Sequence, residues 1–425
     1  TGKACTEKDA LTARPSVRNP IRQGCPDDDG WIDIKKVSVF IGNQGSGKSC
    51  VAKLISTFTW IEKALVRGDY AISDFSAVKF RKTYCGYHRI ANYFFNNAHS
   101  DAAEIEYEGE AYSMKYQKGD FQISEKQSRK YFLPQIMYVP AERNFISIIK
   151  EAKSFKSLPD SLLEYITEFN NAKDEIKDGL SLPINDAEIK YDKQHDVINV
   201  TGNDYQVELS EASSGFQSLV PLYLVSYYLA NAVRRQVENP QKMSHNESQR
   251  FNDAVKSIWA DTTLTDEQRR IALSAVSSQF NKTAFINIVE EPEQNLFPVS
   301  QRNMLYSLLE FNNYSAENKL VITTHSPYII NDLSLAVKAK QVDTTMVVAG
   351  TESDLKELDR IVPIKSLLSP DDLVIYEINN RGTVSKLADY CGLPSDENYL
   401  VLPPFPPVPA AGVGCAGAAG RGLCS

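Results

Sequence analysis

Short β-branched runs alternate with stretches of helical period through much of this chain. Residues 32–41 read Ile-Asp-Ile-Lys-Lys-Val-Ser-Val-Phe-Ile and end in a glycine-rich turn, which predicts a buried strand feeding a loop. Past the turn, Val51, Leu54, Ile55 and Phe58 recur on one face of a predicted helix. Compact apolar runs at 136–139, 284–289 and 320–323 predict further strands. Residues 216–237 read as a long helix with an apolar face, 299–311 as another, and 326–335 as a loop entering a third. Short strands are expected within 107–116, and a hairpin within 191–209 around Gly202-Asn203-Asp204. This recurrence predicts a mostly parallel sheet covered by helices.

Between these elements the pattern weakens. Residues 65–130 mix aromatic and charged positions without a clean period. Residues 158–178 read as a charged helix after Pro159, expected to be a solvated arm. Residues 238–280 are polar, with a helix expected after Thr263, where Thr265-Asp266-Glu267 favours its start. Residues 1–30 are rich in Pro, Gly and charge and read as a tail. From Pro403 onward the chain is nearly all Pro, Ala, Gly and Val, so residues 401–425 are read as a disordered or non-native tail without a role.

Composition narrows the class. Of 425 residues, 42% are hydrophobic and 24% charged, as in a folded globular protein. The formal net charge of -8 means that a nucleic-acid partner would need a local basic patch. Lys82, Arg89, Arg234, Arg235 and Lys242 could supply one or simply be solvated. No run of eighteen apolar residues suggests a membrane span, and the first residues carry no apolar signal core. The seven cysteines are irregularly spaced, with neither a zinc pattern nor a disulfide framework, so a reduced cytoplasmic setting is expected.

The chemistry concentrates in three places. Gly42-Asn43-Gln44-Gly45-Ser46-Gly47-Lys48-Ser49 matches G-x-x-x-x-G-K-[ST] at every required position. Such a loop turns its N–H groups inward beside the positive end of the next helix, with Lys48 reaching the β- and γ-phosphates of ATP and Ser49 placing its hydroxyl on Mg²⁺. Cys50 follows as a packed small residue, a redox role at the helix N-terminus being the other reading. In Phe285-Ile286-Asn287-Ile288-Val289-Glu290-Glu291-Pro292, an apolar strand ends in adjacent carboxylates. Glu290 would face the metal and its water, and Glu291 would act as the base that orients attacking water. Glu at the metal position, where Asp is usual, is expected to slow hydrolysis. His325, within Thr323-Thr324-His325-Ser326-Pro327, follows a third strand and would sense or polarise the γ-phosphate region.

Over roughly residues 31–400 the chain resembles the ABC-type ATPases of the RecF, Rad50 and OLD group. The resemblance implies an α/β P-loop NTPase of the ABC nucleotide-binding-domain type, with helical insertions around 145–180 and 238–280. It also implies a head-to-tail homodimer that buries ATP between a P-loop and the partner's signature motif. Ser213-Ser214-Gly215 resembles that signature, with Ala212 where Leu is usual and Phe216 where Gln is usual. A serine and glycine at a helix start can hold a γ-phosphate, and can equally cap the helix. By the same resemblance Glu291 matches the catalytic glutamate, residues 292–298 the dimer-contacting loop, His325 the switch histidine, and Gln135 is the candidate γ-phosphate-sensing glutamine. Arg143, in Pro140-Ala141-Glu142-Arg143, is open to two roles, binding phosphate or pairing with an acid.

Within the group, the chain looks most like the ATPases of Septu anti-phage and retron systems, which assemble with a separate HNH nuclease. Its five histidines, His88, His99, His195, His245 and His325, form no paired metal-nuclease motif. The leading expectation is therefore an ATP-controlled defence or DNA-processing subunit, with DNA a possible ligand. An ATPase subunit of a membrane transporter, or a nucleotide-gated structural protein with little turnover, are the alternatives.

Overall fold

The computed structural model describes residues 16–18, 31–94, 104–127, 131–148, 158–238, 245–260, 282–349, 352–390, 392–395, 398 and 400. Among the described residues seventeen strands, numbered along the chain, build four sheets, the smallest a two-stranded pair of β16 (Asp389–Tyr390) and β17 (Leu393–Pro394). A six-stranded sheet forms the centre, containing β3 (Val37–Gly42), β7 (Pro134–Val139), β12 (Ala284–Glu290), β13 (Lys319–Thr324), β14 (Leu373–Ile378) and β15 (Val384–Lys386), in the order β15-β14-β3-β13-β12-β7. Five of these strands are mutually parallel, and only β15 at the edge is antiparallel. Their register is level: Thr323 of β13 pairs with both Glu290 and Phe40, so β3, β12 and β13 deliver their following loops to one end of the sheet.

Alternation along these strands divides the interior in two, because successive side chains leave a strand on opposite faces. Val37, Val39, Ile41, Phe285, Val289, Leu320 and Ile322 join one core. Phe40, Ile286, Ile288, Val321, Val374 and Tyr376 join the other. The first core is covered by α2 (Asp160–Ala172), α3 (Ser214–Glu238), α4 (Pro298–Asn312) and α5 (Pro327–Ala349). The second is covered by α1 (Lys48–Val66) and by an antiparallel sheet ordered β2-β1-β4-β5-β6, comprising β1 (Ser16–Arg18), β2 (Trp31–Asp33), β4 (Glu104–Glu108), β5 (Tyr112–Gln117) and β6 (Asp120–Glu125). A third sheet, β11-β10-β9-β8, uses β8 (Leu180–Ser181), β9 (Glu188–Asp192), β10 (Val197–Thr201) and β11 (Gln206–Glu208).

Two differences from the sequence reading have physical causes. The stretch read as a tail contains β1, which pairs with β2 and β4, so it extends a sheet. The helix expected as a solvated arm is packed instead: Leu162, Tyr165, Ile166 and Phe169 of α2 are buried in the first core at the i, i+3, i+4, i+7 spacing that one helical face provides. The helix expected after Thr263 and the 401–425 segment lie outside the described residues. Among the described residues no helix is long and apolar enough to cross a membrane.

Candidate functional site

The loop after β3 is shaped by glycines with no freedom to be otherwise. Gly42 has φ 148°, and a Cβ there would lie 2.2 Å from the Ile378 carbonyl oxygen of β14. Gly45 and Gly47 adopt φ 74° and 107°, backbone that side-chain-bearing residues rarely visit. The loop rests on the β14–β15 turn, where the Asn43 amide donates to Asn380 Oδ1 at 2.7 Å. α1 then begins at Lys48, so its unpaired N–H groups face the loop.

Lys48 is 5% exposed and folds back over this loop, its ammonium donating to the carbonyls of Gly42 and Asn43 at 2.8 Å each. Burial lowers its pKa to about 8 against the upward pull of Glu291, Glu293 and Glu290. Ser49 beside it is exposed. For Cys50, burial pushes the thiol up to about 11, which favours the packed thiol over the thiolate.

β13 lies between the strands that carry the loop and the paired carboxylates, and it brings His325 between Lys48 and Glu291. His325 Nε2 is 3.0 Å from Glu291 Oε1, and its Nδ1 is 3.3 Å from Lys48 Nζ and 3.0 Å from the Gly42 carbonyl. A carboxylate and a carbonyl only accept, so Nε2–H donates to Glu291, while Nδ1 either accepts from the Lys48 ammonium or donates to the Gly42 carbonyl, according to whether it carries a proton. His325 holds the Glu291 carboxyl below the ordinary range, with Lys48 and Arg143 adding to the effect. Lys48, His325 and Glu291 thus form one chain of polar contacts.

Glu290 and Glu291 differ in setting. Glu290 continues the row of Ile286 and Ile288 toward the α1 side; it is 4% exposed, and its Oε1 has no hydrogen-bond partner. The Tyr138 phenol, buried beside it, is pushed well above its usual range by burial, by the Glu290 charge and by the approach of its hydroxyl to that carboxylate. Glu291 leaves the strand with φ 45°, its N–H donating to the Thr323 carbonyl at 2.8 Å. Such backbone is uncommon for a residue with a side chain and persists only where neighbours fix it.

The Gln294 N–H, which donates to the Glu291 carbonyl at 3.0 Å, and Arg143, at 0% exposure, are such neighbours. Arg143 is sealed from solvent, and its hydrogen bonds go to main chain and not to a carboxylate. Its guanidinium donates to the main-chain carbonyls of Glu290 (2.7 Å), Glu291 (2.6 Å), Ser218 (3.1 Å) and Pro140 (3.3 Å). The sequence also hid Glu293, whose Oε1 accepts from the His325 N–H and the Thr324 hydroxyl at 2.7 Å each and so fixes the histidine's main chain. The acidic run around Pro292 was its only signal.

Gln135 is not part of this cluster. It pairs with Phe285 near the start of β7, about 13 Å of strand before Val139 at the site end, taking about 3.3 Å per residue. Its expected contact with phosphate is therefore corrected: a strand residue four positions upstream cannot reach the loops. Ser213 and Ser214 are exposed at the start of α3. Gly215 approaches the loop after Glu291, where a Cβ would stand 3.2 Å from the Asn295 carbonyl oxygen. The Asn295 amide donates to Ser218 Oγ at 2.8 Å.

Comparison with known proteins identifies a family for this chain. The family described as "AAA ATPase domain" matches residues 82–330, a span holding Arg143, α3, Glu290, Glu291 and His325, with the glycine loop just before it. The crystal structure of the SmcHead bound to the C-winged helix domain of ScpA is similar at 12% sequence identity and a TM-score of 0.32, over 75% of this chain and 91% of that one. Comparison with curated proteins finds no match.

Proposed function

The chain belongs to the AAA ATPase domain family, and from that premise we propose that it binds ATP in the 42–49 loop and hydrolyses it at Glu291. The observation that carries the reading is the contact chain from Lys48 through His325 to Glu291, at 3.3 and 3.0 Å. Lys48 and the loop N–H groups hold the phosphates. Glu291, kept ionised by His325, accepts a proton from the attacking water, and His325 reports whether the γ-phosphate is in place.

The donors fit Mg²⁺: the buried Glu290 Oε1 without a partner and the exposed Ser49 hydroxyl are the oxygen ligands this ion takes alongside phosphate. When bound, the ion would neutralise charge on the phosphates.

We read the active assembly as an ABC-type head-to-tail homodimer. Phe297 and Val299, at the start of α4, and Tyr328, at the start of α5, are 74%, 52% and 48% exposed, apolar side chains a few residues along the chain from Glu291 and His325 that a second copy would cover. Ser213-Ser214-Gly215 would then face the partner's nucleotide. The role proposed for this cycle is regulatory, in a cytoplasmic bacterial anti-phage or DNA-processing complex whose cutting is delegated to a separate HNH-type nuclease. The domain is taken as residues 31–400.

Phosphate release and nucleotide titration test the reading. Lys48→Ala should abolish measurable ATP binding, whereas Glu291→Gln should retain binding and slow turnover by about 10²–10⁴-fold. Undiminished turnover in Glu291→Gln would remove the assignment. Co-expression with a neighbouring HNH gene, followed by pull-down, tests the partner.

A further inference from the structure

Arg143 is a charge placed where charges are costly, and it spends all of its contacts on main chain. Four carbonyls from three separate segments converge on it: Pro140 after β7, Ser218 on α3, and Glu290 with Glu291 at the end of β12. Burial lowers the guanidinium's pKa, while Tyr165 and the carboxylates Glu293, Glu291 and Glu290 hold it up. A planar fork with five donors can fix several acceptors at once, which lysine cannot.

Two of those carbonyls flank the residue with φ 45° whose carboxylate meets His325. The same segment is tied to α3 a second time, through Asn295 to Ser218 Oγ. α3 starts at Ser214, so Ser218 stands one helical turn from the end formed by the exposed Ser213 and Ser214 and the half-buried Gly215. A shift of that helix start would therefore pull directly on the main chain of Glu291.

We propose that Arg143 is a positioning residue for hydrolysis, clamping Glu290 and Glu291 to α3 so that the Glu291 carboxylate faces His325 only while the Ser214 end of that helix is seated. This rests on the ATPase reading above and adds a control to it. Contact made by Ser213-Ser214-Gly215 with a nucleotide or a second copy would be read out at Glu291 of the same chain, through Arg143 and Asn295.

The experiment uses the full chain, with ATP titration, steady-state phosphate release and circular dichroism. Arg143→Gln, which cannot span the four carbonyls, should keep its ATP Kd within a factor of about 3 and lose about 100-fold in kcat, the scale of a small misplacement of reacting groups. Because Arg143 acts through Glu291, combining Arg143→Gln with Glu291→Gln should be no slower than Glu291→Gln alone. Additive losses, or a fall in affinity matching the fall in kcat, would overturn the proposal.

If the glutamine variant does not fold, two others decide. Arg143→Lys keeps the charge without the fork. Asn295→Gly suits the exposed residue's φ of 59° and removes only the amide bond to Ser218. Each should lower kcat by about tenfold at unchanged KM; a normal kcat in both would refute the clamp. The two readings fail separately. No phosphate release by the native chain sinks the ATPase assignment, while a slow Glu291→Gln beside a fully active Arg143→Gln sinks the clamp alone.

Discussion

Glu62 and Glu290 are both buried against the same core, at 2% and 4% exposure, but near opposite ends of the central sheet. Glu62, on α1, has both oxygens engaged: Oε1 accepts from the N–H groups of Ala111 (2.7 Å) and Tyr112 (3.1 Å), and Oε2 from the Tyr107 hydroxyl (2.7 Å). It borders a cavity of about 30 Å³ with Pro134, Ala284 and Lys319, which begin β7, β12 and β13. Gly109 belongs to the same packing, since a Cβ there would lie 2.1 Å from Glu62 Oε1. Glu290, at the other end, leaves Oε1 without a partner. The fold meets both oxygens of Glu62, whereas Glu290, beside the Tyr138 phenol, keeps an oxygen available to a ligand.

The comparison breaks first, and most strongly, at Glu290. Glu290→Gln should lower Mg²⁺-dependent turnover by about 10–100-fold, the usual effect of altering a metal site. The ligand-free protein should melt at an unchanged or higher temperature, because an unmatched buried charge has been removed. A Mg²⁺ titration of phosphate release beside a thermal melt checks both. A clear drop in Tm would class Glu290 with Glu62.

Glu62→Ala should invert that outcome. Two backbone N–H groups lose their acceptor, at about 1–3 kcal/mol for each group left unsatisfied. Denaturant unfolding should show a loss of that order, while kcat per folded molecule stays unchanged. Reduced kcat with normal stability would mean that the entry end of the sheet also serves the reaction.

The two ends were not equally legible in the sequence. The glycine loop, the paired carboxylates and His325 are local signals, each a few residues at the end of an apolar strand. Strand alternation and helical spacing likewise predicted most of the central sheet and its covering helices. Glu62 looked like any polar position on an amphipathic helix, because its partners are 45 to 50 residues away. The main-chain contacts of Arg143 were hidden for the same reason: its acceptors are carbonyls up to 148 residues distant, and a carbonyl has no residue type to read. Gln135 failed differently, since an apolar strand does not announce which of its residues reaches the loops.

The smallest effect concerns pH and separates the two ends through Lys48. Its folded pKa of about 8 lies below the unfolded 10.5, so the unfolded chain binds the extra proton in that interval. Lys48 therefore adds stability as pH rises from about 8 to 10.5. Nucleotide binding should run the opposite way, because phosphate charge favours the ammonium and draws a proton onto it. Above pH about 8, ATP affinity should fall by up to about tenfold per pH unit, with proton uptake on binding. Calorimetric titrations at pH 7 and 8.5, in two buffers of different ionisation enthalpy, measure that uptake. Equal heats in both buffers at pH 8.5 would mean that Lys48 does not titrate against phosphate, and the loop would then have to hold its ligand through backbone N–H groups alone.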